Sequence, residues 1–209
     1  EKAHVWVPVK PGGDGALAMA MGRWIIENNR YDETYLRNPN QEAANMDDET
    51  TWSDASFLVN VGDKKRPFVR AQDLGIGGEE FVVIENGKPV PHTKARNGEL
   101  DVDTTINGIK VKSVFKIYKD KVMEKSIEEY AKQADVPVEQ ITQIAREFTS
   151  HGKKVGIHSY RGPAMHANGY YSVRAINMLN HLVGNHDWKG GDTVLGAKFK
   201  ATEGRYDLA

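Results

Sequence analysis

The chain has 209 residues, enough for one sizeable core or a core plus a small annex. Hydrophobic residues make up 39% and charged residues 27%, which excludes a disordered chain, and 28 Lys+Arg against 29 Asp+Glu leave no charge excess for nucleic acid or an anionic membrane. Cysteine is absent, which excludes disulfides, zinc ribbons, cysteine nucleophiles and cysteine-ligated iron–sulfur clusters within these residues, and no apolar run approaches the roughly 20 residues of a bilayer crossing.

The chain opens, without Met, into Ala3-His4-Val5-Trp6-Val7, and its apolar, β-branched character predicts a strand over residues 3–9. No signal or transit peptide is legible, and the expectation is an internal segment of a longer polypeptide. Lys10-Pro11-Gly12-Gly13-Asp14-Gly15 turns the chain. Leu17, Met21, Trp24 and Ile25 then recur at the spacing of one buried helical stripe and predict a helix over 16–29. Residues 31–36 read as a short second helix, broken by Asn38-Pro39-Asn40.

Residues 40–124 change character, being rich in Asp, Asn, Gly and Lys, with short apolar runs at Phe57-Leu58-Val59 and Phe81-Val82-Val83-Ile84. Asn86-Gly87, Asn97-Gly98 and Asn107-Gly108 are pairs of the kind favoured in tight hairpins. After the third, Ile109, Val111, Ser113, Phe115 and Ile117 alternate with their neighbours at the period of a half-buried strand. The stretch reads as an inserted β-rich annex of hairpins and surface loops.

Helical patterning then resumes. Ser126 and Glu129 match a capping box. Val136-Pro137 opens another helix, whose inner stripe is Ile141, Ile144, Ala145 and Phe148 and whose end is His151-Gly152. Lys154 to Ser159 is a buried-strand candidate, Tyr160-Arg161-Gly162-Pro163 a loop, and a long helix runs from 164 or 166 to 183, stopped by Gly184-Asn185. Two strand–loop–helix units thus bracket the annex. The expected fold is α/β, a Rossmann-like parallel sheet with helices on both faces plus the inserted annex. Residues 1–39 and 125–192 form its discontinuous cofactor-binding domain, 40–124 the annex and 193–209 a tail.

Two loops carry the chemistry. In the first, glycines let the backbone approach a ligand, and the helix start offers free N–H groups to an anion. Asp14 either caps that helix or accepts two hydrogen bonds from a guanine edge. The loop is neither a GxGxxG fingerprint nor a P-loop. The second loop places Arg161, His166 and Asn168 at the C-terminal end of a predicted strand, where open α/β sheets bind ligands. Arginine is a permanently charged fork suited to an oxyanion, and histidine carries a proton near neutral pH. The alternative is a capping His166 and an Arg161 in a surface ion pair. His151 and His158 lack a carboxylate partner at metal-ligand spacing. Asn177, Asn180, His181, Asn185 and His186 read as an interdomain or solvated face.

The bracketing units resemble the molybdopterin-guanine-dinucleotide oxidoreductases of the dimethyl sulfoxide reductase type. The resemblance rests on Val9-Lys10-Pro11-Gly12-Gly13-Asp14 leading into an Ala, Leu and Met helix and Tyr31-Asp32, and on Pro137 to Phe148 with its Ile144-Ala145-Arg146-Glu147-Phe148 end. Leu182-Val183-Gly184-Asn185 through Lys189-Gly190-Gly191 completes it, so that it covers about residues 1–38 and 126–191. It implies a parent enzyme that moves two electrons through molybdenum held by two pterin guanine dinucleotides, relayed by an iron–sulfur cluster whose ligands precede this segment. It also implies an iron–sulfur electron-transfer subunit, a membrane anchor subunit, and a periplasmic or extracytoplasmic site. By the same resemblance Gly12, Gly13 and Asp14 hold a guanosine end, Gly162 and Asn168 lie toward the cofactor, and Arg161 and His166 act on the substrate. Gly13 stands where the family usually has a hydroxyl residue. Within the family the likeness is greatest to reducers of sulfur oxyanions such as tetrathionate, with arsenate and polysulfide or thiosulfate reduction as alternatives. A non-catalytic nucleotide-binding module is the other reading, and the isolated segment is expected to be catalytically silent.

Overall fold

The structure, a computed structural model, describes residues 3–193. In chain order, α1 (Asp14–Glu27) follows the glycine loop, and the short helices α2 (Glu33–Arg37) and α3 (Gln41–Met46) come next. Asp32 and Asn40 cap these two by accepting from the Tyr35 and Ala43 N–H groups. The annex supplies β1 (Leu58–Asn60), β2 (Val82–Glu85), β3 (Lys88–Pro91), β4 (Asp103–Ile106) and β5 (Ile109–Ser113). Helices α4 (Val114–Met123), α5 (Ile127–Ala134), α6 (Val138–Phe148), α7 (Arg161–Ala164) and α8 (Gly169–Val183) complete the described chain.

Helix α1 is the hub, packed against α4, α5, α6 and α8. It buries Ala18, Ala20, Met21, Ile25 and Ile26 against Tyr130, Ile141, Phe148, Leu179 and Leu182. Glycine lets its neighbours come close: a Cβ on Gly15 would stand 3.0 Å from Ser172 Oγ on α8, and one on Gly22 would overlap Tyr118 Oη on α4. Ser126 and Glu129 form the expected capping box on α5.

The annex holds a three-stranded antiparallel sheet in the order β1-β5-β4 and a separate β2-β3 hairpin. Asn86-Gly87 (φ 51° and 73°) and Asn107-Gly108 (φ 49° and 81°) turn the two hairpins, with the paired positive φ of a type I′ turn. Asn97-Gly98 turns no hairpin. Its Gly98 N–H donates to Arg37 O at 2.8 Å and ties the annex to α2. Leu58, Val69, Leu74, Val82, Val102 and Val111 give the annex an apolar core of its own.

Three expectations need correction. The alternating strand predicted over 109–117 stops at Ser113, whose hydroxyl accepts from Lys116 N–H and starts α4 there. Phe115 and Val122 then face the main core at helical, not strand, spacing. The long helix predicted from 164 or 166 begins at Gly169, and the stretch read as a loop before it holds the single turn of α7 (Arg161–Ala164). Gly169 packs directly on the Ala164 carbonyl, where any side chain would collide, and the chain turns there. Finally, residues 3–9 and 154–159 carry no ladder: the ladders among the described residues are antiparallel and lie in the annex. The chain is mixed helix and strand, as the α/β class requires, but these segments do not pair as a parallel sheet. Their backbone groups bond elsewhere. Trp6 O accepts from Gln140 Nε2 at 3.2 Å, and Ile157 bonds the side chain of Asn180; just after the first segment, Lys10 N–H reaches Ala134 O at the end of α5 (2.9 Å). Residues 194–209 of the expected tail lie outside the described residues.

Candidate cofactor and substrate site

The first loop is built from two different glycines. Gly12 sits at φ +79°, a conformation that glycine reaches without strain. Gly13 has an ordinary φ of −85° but no room: a Cβ would lie 2.9 Å from Lys10 O and 3.0 Å from Ala134 Cα. The turn closes through Gly13 N–H to Lys10 O at 2.7 Å. That close seating against the end of α5 accounts for glycine where the resemblance has a hydroxyl residue.

Asp14 is the first helical residue of α1, and no side chain caps that helix. The capping reading of Asp14 is therefore set aside. Its carboxylate stands in the first turn, where the helix end favours an anion, and it makes no hydrogen bond or ion pair with the described residues.

The fold brings the second loop onto the first. Asn168 Nδ2 donates to Gly12 O at 3.0 Å across 156 residues of sequence. The His166 ring lies beside them: a Cβ on Gly12 would be 3.8 Å from His166 Cγ and 3.8 Å from Asn168 Oδ1. No side chain caps α8, so the capping role of His166 also falls away. Arg161 opens the single turn of α7 and is exposed, with its guanidinium 5.6 Å from the Tyr160 ring centroid. Gly162 faces open space. The structure thus joins Gly12, His166 and Asn168, places Gly13 and Asp14 on the same loop, and sets Arg161 and Gly162 apart on α7.

From Gly12, Gly13 and Asn168 an open groove of about 640 Å³ runs between α1, α4 and α8. Its walls are Met19, Ile117, Tyr118, Tyr171, Ala175 and Met178, and its charged lining is Lys125, Arg174 and the Lys121–Glu124 ion pair (2.6 Å), a net excess of cations. Apolar walls with cations suit a ligand that joins a flat apolar body to anionic groups. The sequence reading missed these residues. The signal was present, since 171, 174, 175 and 178 and likewise 114, 117, 118 and 121 recur at helical spacing on second faces of α8 and α4. Tyr118 adds an orphan: its Oη is buried without a partner, and burial pushes the phenol above its usual range.

The polar residues at the end of α8 divide: Asn177 and His181 are exposed, as a solvated face requires, and His186 is half-buried. Asn180 and Asn185 are fully buried. The His181 and His186 rings lie 4.3 Å apart, and burial holds the pKa of each below the ordinary histidine value. Lys153 sits between Asp32 (3.0 Å) and Glu49 (2.6 Å) and under Tyr35, tying α2 and the chain after α3 to the end of α8. Among the described residues no group of three or more His, Asp or Glu side chains is placed to hold a metal ion, and no helix is long and apolar enough to cross a membrane.

No family model matches the chain. Curated relatives do. A selenate reductase subunit of Mesobacillus selenatarsenatis is 47% identical over 198 residues, 91% of this chain and 19% of its own length. A tetrathionate reductase subunit of Salmonella typhimurium is 37% identical over 217 residues, 97% of this chain and 21% of its own. The corresponding tetrathionate reductase subunit of Archaeoglobus fulgidus is 35% identical over 192 residues, 90% of this chain and 17% of its own. The chain therefore spans about a fifth of the length of these relatives, and it is a homologue of the catalytic subunits of molybdopterin oxidoreductases.

Proposed function

We propose that the parent polypeptide is a molybdenum oxyanion reductase, in which this segment holds the guanosine end of one pterin dinucleotide and presents Arg161 and His166 to the substrate. The observation that supports the reading is the Asn168–Gly12 hydrogen bond, which joins the two loops that the resemblance assigns to the cofactor and brings the His166 ring beside them. The residues suit the dinucleotide. Asp14 offers an unpaired carboxylate to the N–H donors of a guanine edge, Gly12 and Gly13 keep side chains out of the way, and the groove from that loop offers apolar walls and cations.

When bound, the molybdenum centre supplies the two-electron transfer. The chain's own part is binding and proton handling. Arg161, exposed and free of any ion pair in the described structure, offers a fork of donors to an oxyanion at any working pH. His166, next to the Gly12 loop, offers a ring N–H to an oxygen or sulfur atom that leaves with added charge. The guanine dinucleotide form, an iron–sulfur relay, an electron-transfer partner, a membrane anchor partner and an extracytoplasmic site belong to the same proposal, supported by the family resemblance.

Tetrathionate is the substrate favoured by the likeness of the second loop. Selenate is a second reading, favoured by the 47% identity to the selenate reductase relative. The test uses the full-length, molybdenum-loaded enzyme with reduced viologen and each oxyanion. Arg161→Lys keeps the charge but loses the fork, and turnover is expected to fall with pterin and molybdenum content unchanged. Parental kcat and KM for both oxyanions would move the substrate site out of this segment.

A further inference from the structure

We infer that Asn180 is the positioning residue of the substrate loop, its side-chain amide standing in for a neighbouring strand and fixing the register of residues 155–159. The inference rests on the substrate-side reading of Arg161, which follows a few residues later.

Residues 155–157 belong to no helix and no strand ladder, so their peptide groups need other bonds. Asn180, near the end of α8 and fully buried, provides two of them to one residue. Its Oδ1 accepts from Ile157 N–H at 3.1 Å and its Nδ2 donates to Ile157 O at 3.0 Å. That exchange of a donor and an acceptor with one backbone residue is what an antiparallel neighbour would make. Asn185, also fully buried, continues it two residues away by donating from Nδ2 to Val155 O at 2.6 Å.

The amide has one satisfied orientation. Nδ2 faces two acceptors, Ile157 O and Asp192 Oδ2 (3.4 Å), while Oδ1 faces two donors, Ile157 N–H and Asn185 Nδ2 (2.9 Å). A slip of the segment by one residue would turn the bonded edge of Ile157 away from this amide. Residues 155–157 are therefore held by two side chains at the end of α8, Asn180 on the helix and Asn185 just past it, the same helix that follows Asn168 and the Gly12 contact. The position of Arg161 relative to the cofactor loop depends on them.

The test uses the full-length, molybdenum-loaded enzyme carrying Asn180→Leu, which removes both bonds. Asn180→Asp removes only the N–H donation and carries the test if the leucine variant does not accumulate folded. Hydrogen exchange over 155–159 is expected to rise at least about tenfold while exchange in α1 and α6 stays parental. With selenate or tetrathionate, KM is expected to rise about ten- to a hundredfold at parental molybdenum content, as misplacement of a binding group predicts. Parental exchange over 155–159, or faster exchange with parental KM and kcat, would overturn the inference. Arg161→Lys measured alongside separates the two failures. An impaired Arg161→Lys with parental Asn180 variants sinks the positioning role alone, whereas parental kinetics in both sinks the substrate-side reading with it.

Discussion

Restoring the family's hydroxyl residue by Gly13→Ser should destabilise this protein. A Cβ at residue 13 would meet Lys10 O at 2.9 Å, Ala134 Cα at 3.0 Å and Gln133 O at 3.2 Å. All three are backbone atoms, so no side-chain rotation relieves the contact. The two pieces of backbone are also bonded to each other, through Lys10 N–H to Ala134 O at 2.9 Å, and the turn itself is closed by Gly13 N–H to Lys10 O at 2.7 Å. Relief requires the loop to lift from the end of α5 by a few tenths of an ångström, stretching both bonds. Overpacking of this kind costs about 1–3 kcal/mol. Tm should fall in the parent enzyme, by less per kcal/mol than the roughly 2–4 °C of a chain of about 150–250 residues. Gly13→Ala carries the same Cβ and should lose as much, which separates crowding from any effect of the hydroxyl. The assay is scanning calorimetry with molybdenum and pterin content measured on the same samples. An unchanged Tm in both variants would refute the claim that the loop is wedged against α5.

Tyr118→Phe removes a buried hydroxyl that has no partner and should stabilise by about 1 kcal/mol, read as a rise in denaturation midpoint; a fall would mean that Oη is bonded after all. Acidification should destabilise the end of α8. Burial lowers the folded pKa of His181 and His186 beneath the ordinary 6.5, so as pH falls below 6.5 the unfolded chain takes up protons first and stability drops. Tm measured from pH 7.5 down to about 5.5 should decline, and His181→Gln should flatten that slope; an equal slope in the variant would count against it. Asp14→Ala should cost the helix only about 0.3–1 kcal/mol, because the carboxylate caps nothing. Retention of the dinucleotide should weaken by more, about 1.5–3 kcal/mol for a lost charge-assisted bond, and equal cofactor content in variant and parent would remove Asp14 from the site.

Local chemistry was legible in the sequence wherever neighbours in the chain decide the outcome. The Ser126–Glu129 capping box, the Asn86-Gly87 and Asn107-Gly108 turns, the inner stripe of α6 and the Gly184 stop all act within a few residues, and all form as read. The first glycine loop was also legible as a loop, because glycine removes the steric limits that other residues impose, whereas the second stretch forms the short helix α7. Where local signals competed, the pattern misled. The alternation from Ile109 to Ile117 fits a strand, yet the Ser113 hydroxyl satisfies a free N–H and the helix begins there. Which groups meet was decided only by tertiary structure. Asn168 and Gly12 are 156 residues apart, and nothing local records that α8 lies across α1. The asparagines at the end of α8 look polar in sequence, but they are buried because a backbone segment without a strand partner needs donors and acceptors there. A side chain's type states which bonds it is able to make, and only the packing of helices and loops around it supplies the partner.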